Sequence, residues 1–216
     1  MGDSRSAPLR RWLWTLLTLA GAVDLLFVAT SVLHTLAERG VDVGFGFAGM
    51  HVEDEFGAPT LWQMAKSGLA AVVAGVGCLR TRRWTLLPWV AALALIATSL
   101  ATRFQDDVVA SPTVGAALVG ILIVALALVG RRLEANSRDS TSVAAAFVVF
   151  VIAGGALDTL HDILLDSSVE PVLSILEGGV ELLLLTLACV MVVGYVMRNH
   201  RSVTSDSTPR IRAVDR

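Results

Sequence analysis

The chain has 216 residues and a net charge of −2, with 55% hydrophobic and only 17% charged side chains. An ordinary globular domain carries roughly 25% charged residues, and here the apolar residues fall in long runs, which excludes a soluble fold and points to the lipid bilayer as partner. No basic stripe with interleaved aromatics is present, so nucleic acid is not an expected partner.

A transmembrane helix needs about 20 mostly apolar residues, and six stretches qualify: about 12–33, 60–79, 84–102, 112–130, 143–164 and 172–197. They predict an all-α, polytopic six-helix transmembrane bundle occupying residues 1–199 as one domain. The first stretch follows Arg5, Arg10 and Arg11, but it is too long for a signal peptide and contains Asp24. It reads as a retained helix closed at its far end by His34. The loop from Val41 to Pro59 is rich in Gly and Phe, then acidic at Glu53-Asp54-Glu55, and reads first as a solvated acidic loop, with a lid over the helices or a surface cation site of His51, Glu53 and Glu55 as the alternatives. The second stretch carries Lys66, the only lysine of the chain, about two turns in.

Stretches three and four hold no charge between Trp84 and Thr102 or between Pro112 and Gly130, which makes them apolar support or a homo-oligomer face. The fifth carries Asp158, His161 and Asp162, and the sixth Glu177 and Glu181. The link Asp166 to Pro171 is short enough to make these two antiparallel neighbours. Gly154, Gly155, Gly178 and Gly179 permit close approach, as small residues do between membrane helices. Residues 200–216 read as a disordered cytoplasmic tail. Cys78 and Cys189 lie toward the inner side, where reduced thiols are expected.

Lys and Arg mark the side that is not translocated. With the N-terminus in the cytoplasm, fourteen arginines fall inside and only Arg39 and Arg103 outside, while nine acids lie in the outer loops against five inside. The expected location is therefore the plasma membrane, with both termini cytoplasmic. Trp12, Trp14 and Trp84 at inner helix ends and Trp62 at an outer one agree, because amphipathic rings settle at headgroup depth.

Ionisable groups within lipid cost about 3 kcal/mol or more each and mark sites of function. Positions i, i+3 and i+4 share a helix face, so Asp158, His161 and Asp162 project together, as do Glu177 and Glu181. With about 1.5 Å of rise per residue, Asp158, Glu177 and Lys66 lie about 8–9 Å below the outer helix ends and Glu181 about 14 Å. His34 and His161 sit at the mouth of this outward funnel and Asp24 at its floor. Imidazole with carboxylates suits a divalent metal, zinc, iron or manganese, and facing Glu and Glu-x-x-His helices build such sites in bundles. His161, Asp158, Asp162, Glu177, Glu181 and His34 are the expected ligands, with Lys66 and Asp24 tuning charge or relaying protons.

The stretch from Glu53 to Trp62, an acidic loop running through Pro59-Thr60 into a helix, together with Asp106-Asp107 and Leu176-Glu177 with Glu181, resembles uncharacterised six-helix bacterial integral membrane proteins. The resemblance implies the six-helix layout and no activity. That pattern continues its second outer loop with a His-Glu pair, which this chain lacks after Asp107.

The function expected is binding of a divalent metal or cationic ligand by the outward-facing His and carboxylate cluster. Two readings stand beside it: a proton- or cation-coupled transporter using Asp24, Lys66 and Glu181, and a scaffold whose polar cluster only fixes helix packing. An enzyme is neither required nor excluded; a metal-bound water would be its nucleophile.

Overall fold

The computed structural model describes residues 7–42, 57–102, 112–134, 138–165 and 169–206. The predicted lid with His51, Glu53, Asp54 and Glu55, the loop acids Asp106, Asp107 and Asp166, and residues 207–216 lie outside these described residues.

Each predicted stretch forms one helix: α1 (Ala7–Glu38), α2 (Ala58–Thr81), α3 (Leu87–Thr102), α4 (Pro112–Leu133), α5 (Arg138–Ile163) and α6 (Glu170–Asp206). A 3-10 turn, Trp84–Leu86, leads into α3, and no strand occurs among the described residues. The helices overrun the apolar stretches because backbone hydrogen bonding does not stop at the edge of an apolar run. Thus α6 continues to Asp206, past Asn199, where the polar tail begins in the sequence.

Local chemistry sets the ends. Gly40 (φ 82°) donates to the Ala37 carbonyl at 2.9 Å and Val41 to that of Leu36 at 3.0 Å. This pair of bonds satisfies two orphan carbonyls of α1, with glycine at the left-handed position. Pro59 opens α2, where its missing N–H is harmless, and Arg82 (φ 51°) turns the chain out of α2 toward α3.

Four helices are long and apolar enough to cross a membrane: Arg11–Glu38, Gly115–Leu133, Arg138–Ile163 and Glu170–Asn199. Residues Trp84–Leu100 make a shorter apolar helix. α2 is diluted by Gln63, Lys66 and Ser67, all of them turned inward and buried. The six-helix count of the sequence reading stands, and four of the six are long and apolar enough to cross a membrane.

α6 is the hub, packing on α5, α2 and α1, while contacts of α2 with α3, α3 with α4 and α4 with α5 close a ring of five helices. α1 docks on the outside of that ring. Directions follow from close contacts: Gly154 meets Glu181 and His161 meets Glu177, so α5 and α6 are antiparallel. Gly77 meets Val196 while Lys66 reaches Leu182, so α2 and α6 are parallel. Val28 meets Gly179 and Leu13 meets Gly194, so α1 opposes α6 and begins at the end of the bundle where α6 finishes.

The apolar core fills that same end. It joins Ala74 and Cys78 of α2, Trp89 and Leu93 of α3, Ile123 and Ala127 of α4, Val143 and Phe147 of α5, and Leu185, Val192 and Tyr195 of α6. Among the described residues, none of α1 belongs to it. Trp89 stacks on Phe147 with ring centroids 6.1 Å apart, and it also meets Gly130, where a Cβ would lie 2.7 Å from the indole. α3 is thereby consumed by the core. Of the pair expected to face a second copy, α4 presents the exposed apolar surface, with Leu118, Ile121 and Leu122.

Candidate functional site

The buried polar groups of the opposite half form two separate clusters, on different faces of α6. The first is centred on Asp24, which is fully buried. Trp62 and Lys66 are four residues apart on α2 and so share a face. Trp62 Nε1 donates to Asp24 Oδ1 at 2.7 Å and Lys66 Nζ to the same oxygen at 2.9 Å. Lys66 also donates to the Leu182 carbonyl at 2.7 Å and to Thr186 Oγ1 at 2.8 Å, and Thr186 donates to Asp24 Oδ2 at 2.6 Å. An ammonium has three protons, and all three are used. A buried ion pair is sustained only when the remaining hydrogen-bonding capacity is satisfied in this way.

The second cluster lies along the α5/α6 seam. Gly154, Asp158 and His161 follow one another on α5 at helical spacing, facing Glu170, Glu177 and Glu181 on α6. His161 Nδ1 is 2.9 Å from Glu177 Oε2, and Nε2 is 3.7 Å from Glu170 Oε1. The three side chains are half-buried, with 19% of His161, 18% of Glu177 and 34% of Glu170 exposed. Glu181 lies one turn deeper, its carboxylate over Gly154, where a Cβ would come within 2.9 Å of Oε1. Asp158 is half-buried and Asp162 exposed. A neutral imidazole has one N–H, which leaves the carboxylate at its other nitrogen facing a lone pair; a proton on both nitrogens gives each carboxylate a donor.

The two clusters do not merge. Thr186 is five residues beyond Glu181, about 140° around the helix, so the Asp24 network faces α1 and α2 while the glutamates face α5. Lys66 spends its protons on Asp24, Leu182 and Thr186, so the charge it neutralises is that of Asp24. His34 faces Glu38 of its own helix, Nε2 to Oε1 3.3 Å. Among the described residues, no group of three or more His, Cys, Asp or Glu side chains is arranged to hold a metal ion. The reason is geometric: the two carboxylates sit at opposite edges of the His161 ring rather than on one side of a single nitrogen.

Comparison with protein-family models, with curated proteins and with solved structures finds no match. The chemistry rests on the residues themselves.

Three participants escape a reading of the sequence. Trp62 looks like a headgroup anchor, yet its position one turn before Lys66 was a usable signal. Glu170 looks like a loop acid, yet it is the first residue of α6 and reaches His161. Thr186 gives no signal, because a lone hydroxyl in an apolar helix commonly bonds its own backbone, as Thr18 and Ser31 do here. Cys78 and Cys189 are free and buried. At the packed end, Thr85 bonds Glu134 and Arg198 pairs with Asp139 at 3.0 Å, contacts that tie helix ends together.

Proposed function

We propose that the chain is a six-span plasma-membrane protein, both termini cytoplasmic, whose outward-facing α5/α6 cluster binds a cation in exchange for a proton on His161. The observation that carries this reading is His161 with each ring nitrogen against a different glutamate, 2.9 Å and 3.7 Å away. Glu170 and Glu177 set two carboxylates against one imidazole, and Glu181 lies one turn deeper on the same face of α6, an excess of negative charge in a half-buried seam. A proton satisfies that excess in part. A divalent cation satisfies it better once the ring turns and offers one nitrogen alongside Glu170 and Glu177, a donor set that suits zinc or manganese.

The membrane placement is supported by the alternating helix directions around α6 and by the arginines gathered at the packed end. α2 and α3, too polar and too short to qualify alone, are held between apolar neighbours within the ring. The transporter reading gains little from the Asp24 network, because Lys66 has no proton-bearing position left to engage Glu181.

Elemental analysis and equilibrium dialysis with zinc and manganese on the detergent-purified protein test the proposal. Near-stoichiometric binding is expected at neutral pH, weakening as the pH falls because protons compete for His161. A His161→Ala, Glu177→Ala variant that elutes as the wild type does is expected to lose it at least tenfold. Equal binding by that variant, or none by either protein, overturns the proposal.

A further inference from the structure

Asp24 is held by three donors that belong to helices sharing the apolar core, while Asp24 itself belongs to α1, which among the described residues contributes nothing to that core. Lys66 has two partners besides Asp24. Lys66 is anchored by the Leu182 carbonyl and Thr186 Oγ1 at 2.7 and 2.8 Å, and Trp62 lies one turn away on the same helix, its ring 6.0 Å from the ammonium. The α2/α6 face thus presents an indole N–H, an ammonium and a hydroxyl converging on the space of one carboxylate. α1 adds little else: Val28 and Leu13 rest in notches at Gly179 and Gly194 on either side of the seat, and most of its other large apolar side chains are exposed.

We propose that Trp62, Lys66 and Thr186 form a carboxylate-binding seat, that Asp24 fills it as a tethered ligand, and that a free carboxylate displaces Asp24 and loosens α1 from α6. Charge-assisted donors of this kind are the strong partners of carboxylates, and one ammonium with two neutral donors matches one carboxylate rather than a dianion. The tether gives Asp24 an effective concentration of the order of millimolar or more, so a competitor acts only above that level or when an acyl chain adds affinity. The carboxylate arrives either from water at the polar end of the bundle or from the bilayer past α1, and acetate and laurate separate these sources.

The test uses the full chain in detergent, with Cys78→Ala and Cys189→Ala and a reporter pair, Val28→Cys and Gly179→Cys. A Cβ on Gly179 lies 4.0 Å from that of Val28, within the range for a disulfide, so oxidation reads whether α1 is docked. Laurate or acetate is expected to slow cross-linking saturably, at least threefold. An Asp24→Ala version, its seat vacated, is expected to bind the same carboxylate at least tenfold more tightly by tryptophan fluorescence, and Lys66→Met added to it is expected to abolish binding. An effect of acetate indicates entry from water; an effect of laurate alone indicates entry from lipid. Cross-linking unchanged by either compound up to 100 times their millimolar competitor scale overturns the proposal, as does laurate binding that survives Lys66→Met. The cross-linking arm needs no change at Asp24 or Lys66, so it decides even where those variants fail to fold.

Discussion

At the scale of single residues, the polar half of this molecule works by saturation. Asp24 and Lys66 are tolerable in a buried setting because each has its full set of partners. Lys66→Met therefore strands a buried carboxylate and is expected to destabilise the protein by about 3–5 kcal/mol, read by denaturant titration in detergent. Asp24→Asn combined with Lys66→Met removes both charges and is expected to recover a large part of that loss; a double variant as unstable as the sum of the singles would contradict the pairing. Gly130→Ala pushes a methyl into the Trp89 indole, which is fully buried and stacked on Phe147, and overpacking of that kind costs about 1–3 kcal/mol. Gly155→Ala, where nothing lies within 4 Å, is the matched control. That Asp24 and Lys66 matter was legible from their cost in lipid, and that they belong together was one of the options the sequence left open. Their separation from His161 was not legible, because it depends on the rotation of α6, and no spacing rule fixes which face of a helix meets which neighbour.

At the scale of elements, α6 organises the bundle and α1 is its outlier. Half of the apolar stretch of α6 is buried, against 17% for that of α1. The existence of all six helices was readable because apolar runs and their Gly, Pro and Arg boundaries are local signals. Glycine placement was only partly readable. Gly154 does receive α6, through Glu181, but Gly179 receives Val28 of α1 rather than α5, and Gly155 faces open space. A glycine says that something comes close, not what. The Val28→Cys, Gly179→Cys disulfide is accordingly expected to form readily on mild oxidation and to raise the midpoint of thermal unfolding. A pair placed at Gly155 and Val28 is expected not to form, and efficient cross-linking there would contradict the docking of α1 on α6.

At the scale of the whole molecule, one end is packed with apolar side chains and rimmed with arginine, while the other holds its buried charge in paired clusters. This polarity follows from composition along each helix: alanine, valine and leucine concentrate toward Cys78, Val143 and Val192, and the ionisable residues toward Trp62, His161 and Glu177. With the proposed orientation, tags on both termini are expected to resist protease in intact spheroplasts and to be cleaved after lysis; cleavage of either tag in intact cells would reverse the assignment. Under the proposed orientation, the α5/α6 seam with His161, Glu170 and Glu177 lies toward the outer solution. In the proposed function, cation and proton compete for His161. Calorimetric titration of zinc into the wild-type protein, repeated in buffers of different ionisation enthalpy, counts the protons released per ion bound. Release of a proton by the wild type and its loss in His161→Ala are the predicted result; zinc binding without proton release, or the same release from His161→Ala, would contradict the account.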